Sequence, residues 1–347
     1  MLKSCRFPKK ILVTGGSGFI GSELIRNYIR QTDAQIVNVD KINYAVNSDA
    51  LKKIENSENY FFEHLDIVNA DKLKTVFSKY RPDTVIHLAA ESHVDRSIQD
   101  PSVFIYSNIV GTFNLLKIAQ EYWSELSASE KMSFCFLHVS TDEVYGDLEQ
   151  RDPPCKEETR YRPSSPYSST KAASDHLARA WFKTYGLPVI VSTCSNNYGP
   201  YQFPEKLIPL TIINAIKGKP ITVYGQGLQI RDWIFVSDHV QGLMKIVRFG
   251  TIGDTYNIGA SNERKNIDVV SNICEILEDL KIQKPFSVNR FSDLISFVPE
   301  RLGHDYRYAL DASKITQELG WVPQENFETG LCKTVAWYVD VAGSGNI

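Results

Sequence analysis

The sequence predicts an α/β fold, a doubly wound parallel sheet joined to a smaller mixed α/β lobe. Three observations carry that prediction. Short β-branched runs alternate with amphipathic stretches, a glycine-rich turn follows the first run, and after Asn197 the alternation gives way to segments broken by Pro and Gly.

Taken in order, residues 11–13, 36–39, 60–62, 84–87, 134–139 and 189–191 read as buried strands. They are short and rich in β-branched and aromatic side chains. Residues 22–30, 70–79, 104–123 and 167–185 read as the helices between them, which covers both faces of a parallel sheet. Residues 1–197 are expected to form a dinucleotide-binding domain. Residues 198–340 should form most of the second lobe, with 222–245 and 310–335 returning to the first domain.

Composition narrows the function. With 43% hydrophobic and 23% charged residues the chain can bury a core. A net charge of −3 without a basic tract argues against dedicated nucleic-acid or membrane-surface binding. The six cysteines are scattered without a CxxC, so no metal site is expected and reduced thiols are. No signal-like stretch opens the sequence and no run of 18 apolar residues occurs, so a cytoplasmic location is expected.

The first run and its turn read Ile11-Leu12-Val13-Thr14-Gly15-Gly16-Ser17-Gly18-Phe19-Ile20-Gly21. Glycine is needed there because a Cβ would block the tight turn and the approach of backbone to a pyrophosphate. The helix that follows offers free N–H groups to phosphate. Asp40 ends the next strand 19 residues after Gly21, where a ribose-binding acid belongs. An acid there accepts a free 2′-hydroxyl and repels a 2′-phosphate, so NAD is favoured over NADP and the sheet reads as Rossmann-type. Asp66 and Ile67, after the third strand, could meet the adenine edge.

Ser165 and Pro166 suit an N-cap and a first helical position. Tyr167 and Lys171 then share one helix face at i and i+4. A cation near a phenol lowers its pKa, giving a base for a hydroxyl proton while hydride leaves for NAD. Behind a dinucleotide turn and a series of strands, this Tyr-x-x-x-Lys pair resembles the extended short-chain dehydrogenase/reductase superfamily. One strand earlier, Thr141, Asp142 and Glu143 fall at a carboxyl end, where open α/β sheets bind ligands. Two adjacent acids suggest a second proton transfer, such as elimination of water, which an epimerase does not need.

Residues 88–97, 140–146, 195–200 and 231–233 make the sequence resemble the dTDP-glucose 4,6-dehydratases, from about residue 10 to about residue 338. The resemblance implies an NAD bordered by Gly15, Gly18, Phe19, Ile20, Gly21, Asp40, Lys41, Asn43, Asp66 and Ile67. Leu88, Ala89, Ala90, Ser92, Ser107, Tyr167, Lys171 and Asn197 would complete its surroundings. It implies a nucleotide sugar held by Ser92, Thr141, Asn196, Lys206, Leu207, Thr222, Tyr224, Arg231, Asn266, Arg301 and His304. It also implies a homodimer through 104–123 and 167–185. The sequence departs from the family pattern at Ser17, Asn43, Val46, Glu300 and Leu302, and the last two leave dTDP-, UDP- and CDP-sugars open at the nucleotide end. An epimerase, a decarboxylase and a non-catalytic NAD-binding regulator are the remaining alternatives. His87, His138 and Cys194 are expected to be core residues.

Overall fold

The computed structural model describes residues 5–285 and 288–343. Its strands in chain order are β1 (Lys10–Thr14), β2 (Gln35–Asp40), β3 (Tyr60–His64), β4 (Thr84–His87), β5 (Cys135–Thr141) and β6 (Val189–Cys194). Then come β7 (Asn196–Tyr198), β8 (Ile221–Tyr224), β9 (Ile230–Phe235), β10 (Thr255–Ile258), β11 (Glu263–Lys265) and β12 (Ile295–Val298). Seven of them form one sheet in the order β10-β6-β5-β4-β1-β2-β3, and every pairing in it is parallel.

Period-two alternation sends the side chains of each central strand into two cores. Ile11 and Val13 join Leu24, Ile25 and Leu243 on one face, while Leu12 joins Phe77, Leu115 and Phe136 on the other. Each such side chain contributes roughly 1.5–3 kcal/mol on burial. From β1 the chain winds outward through β2 and β3, and from β4 it winds the opposite way. The crevice over the carboxyl ends of β1 and β4 is therefore a topological switch point, where doubly wound sheets bind ligands.

The smaller lobe has its own core, with Ile208, Ile212, Val223, Trp233, Ile273 and Phe327 among its members. It carries a two-stranded sheet, β12-β8, and a three-stranded one, β11-β9-β7. Of the segments expected to return, Val240 and Leu243 of 222–245 and Ile315, Leu319 and Trp321 of 310–335 join the core on one face of the large sheet. β8 pairs with β12 in the lobe, whereas the strand that rejoins the large sheet is β10, beside β6. A four-residue strand flanked by glycines carries too little periodicity to be recognised from sequence. Helices Val236–Phe249 and Ser313–Leu319 pack near it.

The helix expected over 104–123 is divided into Ser102–Phe104, a seven-residue π-helical stretch Ile105–Gly111, and Thr112–Ser124. The widened turn carries the buried Ser107 and Asn108. Pro166–Tyr185 starts at a reciprocal Ser165–Ser168 cap and ends at Gly186 in the left-handed region, as its sequence signals require.

Asn257 of β10 ties the returning strand to the segment before the Tyr167 helix. Its Oδ1 accepts from the Tyr145 hydroxyl (3.0 Å), and its Nδ2 donates to the Cys155 carbonyl (2.9 Å). It is completely buried. Asn257→Ala should lower the unfolding free energy by about 2–4 kcal/mol, because several buried polar groups lose their partners at once. Denaturant titration would read this as a lower midpoint at unchanged slope.

Candidate active site

A cleft of about 300 Å³ lies over the carboxyl ends of the central strands. At one end is the glycine turn. Gly15 has φ +72°, and a Cβ on it would lie 2.6 Å from the Ala89 nitrogen. A Cβ on Gly21 would lie 2.2 Å from the Gly15 carbonyl oxygen. Helix Phe19–Gln31 can therefore start tight against the turn. Gly18 provides no side-chain cap, so the first N–H groups of the helix remain for an anion.

Asp40 is held at the end of β2 by two backbone donors, Ser17 N–H to Oδ2 (3.0 Å) and Ile42 N–H to Oδ1 (2.9 Å). Burial raises its pKa and the two N–H groups oppose that rise. Each oxygen keeps a lone pair for a ribose hydroxyl. Lys41 Nζ lies 2.8 Å from Glu91 Oε1 and 3.8 Å from Asp66 Oδ2. Glu91 lines the cleft within the 88–92 segment expected to border NAD, but its pairing with Lys41, 50 residues away in sequence, was not foreseen.

At the other end, β5 delivers Thr141 and then turns sharply through Asp142–Tyr145. Thr141 Oγ1 donates to Asp142 Oδ1 (3.2 Å) and accepts from the Glu143 N–H (3.4 Å). The second oxygen of Asp142 is buried without a partner among the described residues. Burial, and then the neighbouring Glu143, push the Asp142 carboxyl well above the usual range. Burial also raises Glu143, against the pull of Arg231, Lys206 and Arg301. Two adjacent acids with different surroundings are suited to giving and taking protons at separate atoms.

Tyr167 and Lys171 line the same cleft, but one electrostatic expectation is not met. Burial, and then Glu143 and Cys194, raise the Tyr167 phenol well above its ordinary pKa. Lys171 donates Nζ to the Val139 carbonyl (2.8 Å), and burial lowers its own pKa. The ammonium is thus held against the strand, and desolvation is the largest influence on the phenol. His87 and His138 are buried as expected, and each is hydrogen-bonded. His87 bridges Thr14 Oγ1 (2.7 Å) and Thr112 Oγ1 (2.9 Å). The Cys194 thiol is pushed up to about 12 by burial.

All of the residues expected around a dinucleotide line this cleft, as do Thr141, Asp142, Glu143, Ser92, Asn196 and Lys206. Leu207, Thr222, Tyr224, Arg231, Asn266, Arg301 and His304 do not line it. Part of that second set clusters beside it. Tyr224 lies edge-on to His304 (6.0 Å between ring centres), and Tyr224 and Arg301 both approach Asp95, at 3.5 and 3.8 Å. Lys206 Nζ bridges back to the Ser92 carbonyl (2.9 Å).

A dinucleotide turn, a strand-end acid and a Tyr-x-x-x-Lys helix around one cleft define an extended short-chain dehydrogenase/reductase. Within that class, residues 12–334 match the model of the GDP-mannose 4,6 dehydratase family, and the chain belongs to it. It is 58% identical over 332 residues to a dTDP-glucose 4,6-dehydratase of Neisseria meningitidis, covering 96% of this chain and 94% of that relative. A dTDP-glucose 4,6-dehydratase from Bacillus anthracis, crystallised with NAD, superposes with a TM-score of 0.83 at 40% identity, over 96% and 97% of the two chains. A UDP-glucuronic acid 4-epimerase from Bacillus cereus has the same TM-score at 26% identity, over 96% and 99%.

A raised carboxyl pKa gives a sign-definite stability effect. Below the ordinary Asp value of about 4, Asp142 is protonated in both folded and unfolded states and costs nothing. As pH rises past that value the unfolded chain ionises first, and Asp142 disfavours the fold increasingly up to its folded pKa. Asp142→Asn should therefore raise Tm at pH 7 and leave it nearly unchanged at pH 3. The gain should be about 1–2 °C per kcal/mol relieved, given an unfolding entropy of about 2 cal/mol/K per residue. Thermal melts of both proteins across pH would check this.

Proposed function

We propose that this protein is a dTDP-glucose 4,6-dehydratase, converting dTDP-glucose to dTDP-4-keto-6-deoxyglucose and water with tightly held NAD. The observation that carries the reading is the Asp142–Glu143 pair, set at the end of β5 in the same cleft as Tyr167 and the glycine turn. Redox exchange at C4 alone needs no second acid and base. The 54–58% identity to curated dTDP-glucose 4,6-dehydratases supports the same substrate.

The glycine turn, the uncapped start of helix Phe19–Gln31 and the doubly held Asp40 fit a pyrophosphate and an adenosine ribose. When bound there, NAD supplies a hydride acceptor at C4 and a donor at C6. Tyr167 takes the C4-hydroxyl proton, Lys171 supplies positive charge behind it, and Thr141 orients the sugar. The 4-ketone acidifies the C5 proton, which Glu143 removes. Asp142, kept protonated by burial, gives its proton to the departing C6-hydroxyl. Lys206, Arg231 and Arg301 bring positive charge towards Glu143, which suits a diphosphate beside it.

We further infer a homodimer and a cytoplasmic location. Ile105, Tyr106, Phe113 and Tyr185 stay exposed, and Phe113 meets Trp181 edge-on at 5.8 Å, joining the two helices into one apolar face. The 23-residue stretch Ser102–Ser124 is long and apolar enough to cross a membrane, yet half of its apolar window is buried in the protein. That supports a core and interface role for it.

Incubation with dTDP-, UDP- and CDP-glucose, without added NAD, tests the reading directly. A 4-keto-6-deoxy product from dTDP-glucose is expected, and failure with all three would refute it. Asp40→Ala should release NAD during gel filtration, because hydrogen bonds to a charged group contribute about 1.5–3 kcal/mol each. Cofactor content per protein, measured after denaturation, decides the point. Glu143→Gln keeps shape but cannot accept the C5 proton. It should still give dTDP-4-ketoglucose, while C5 exchange with deuterated water and loss of water slow by roughly 10²–10⁴-fold.

A further inference from the structure

Asp175 is a completely buried carboxylate that the steps above leave without a part. It lies one helical turn after Lys171, on the same face of Pro166–Tyr185. Its Oδ1 accepts from His138 Nε2 (3.0 Å), and its Oδ2 accepts from Ser140 Oγ (2.7 Å) and from the Tyr161 hydroxyl (2.8 Å). His138 and Ser140 point from one face of β5, and the carbonyl between them, that of Val139, is the one that holds Lys171 Nζ. Two charged side chains four residues apart thus grip three consecutive residues of the strand. One residue further that strand becomes Thr141-Asp142-Glu143, and one turn earlier the helix carries Tyr167.

A buried carboxylate is a poor choice for stability alone, because desolvation costs several kcal/mol and apolar packing would serve as well. Burial pushes Asp175 up, but the hydrogen bonds and the positive groups around it outweigh burial and hold it below the usual range. It is therefore ionised at neutral pH. Lys171 faces Tyr167 and Asp175 from its own helix, His138 from β5, His87 from β4 and Cys194 from β6. Burial lowers the pKa of both histidines and raises that of the thiol. Among these groups Asp175 supplies the counter-charge.

We propose that Asp175 is a positioning residue for the reaction, fixing the register of the Tyr167 helix on β5 and keeping the Lys171 ammonium charged. The proposal rests on the dehydratase reading only in requiring that charge beside Tyr167. It predicts that Asp175→Asn lowers kcat by roughly 10²-fold, the scale of a 1 Å misplacement. KM and NAD content should stay within about twofold of the parent.

Losing an opposite charge at close range should also lower the Lys171 pKa by roughly 1–3 units. The alkaline limb of kcat then moves to lower pH, and ¹³C NMR titration of Lys171 in substrate-free protein should show the same downward shift. That titration does not depend on turnover, so an inactive parent would refute the dehydratase reading and leave this test standing. Ser140→Ala and Tyr161→Phe each remove one hydrogen bond but keep the charge. They should lower kcat several-fold without moving the alkaline limb, and they decide the matter if Asp175→Asn does not fold. An Asp175→Asn protein that melts earlier but keeps the parental kcat, alkaline limb and Lys171 titration would overturn the proposal. Parental kcat in both Ser140→Ala and Tyr161→Phe would do the same.

Discussion

The site depends on how one helix is seated against one strand. Pro166–Tyr185 brings Tyr167 and Lys171, β5 brings Thr141, Asp142 and Glu143, and neither set is useful without the other. Contact between them is fixed by Lys171 on the Val139 carbonyl and by Asp175 on His138 and Ser140. These bonds lie in a fully buried layer, where a hydrogen bond is strong and its loss leaves a desolvated group behind. The glycine turn performs the corresponding task at the other end, where Gly15 packs on the backbone at Ala89 and Gly21 on the turn itself.

Desolvation then sets the chemistry. Asp142, Glu143 and Tyr167 all have raised pKa values, with burial the largest cause for each. For an acid that must donate, such as Asp142, this keeps the proton available at neutral pH. For the phenol it is an obstacle, which positive charge near the site must offset when the hydroxyl proton is taken. The same burial makes Asp142 costly to the fold, so stability and reactivity oppose one another at this residue.

Much of this was legible in the sequence because the signals are local. Strands from 11–13 to 189–191, the glycine turn, Asp40 and the Ser165-Pro166-Tyr167 helix start each depend on residues within a few positions of one another. The features that escaped depend on distant partners. Glu91 meets Lys41 and Asp175 meets His138 only after the sheet has formed. Helical periodicity over 104–123 could not reveal the π-helical stretch at Ile105–Gly111, and β10 was too short to mark its return beside β6. The raised pKa of Tyr167 escaped for a related reason, since spacing along a helix says nothing about how deeply the phenol is buried.

The central claim is that one cleft carries out oxidation, elimination and reduction without net redox change. The most direct test is the fate of hydrogen at C4. dTDP-glucose deuterated at C4 should be converted, in ordinary water and without added NAD, to dTDP-4-keto-6-deoxyglucose carrying the deuterium at C6. Loss of the label to water, or its return to C4 of an epimerised sugar, would contradict the account.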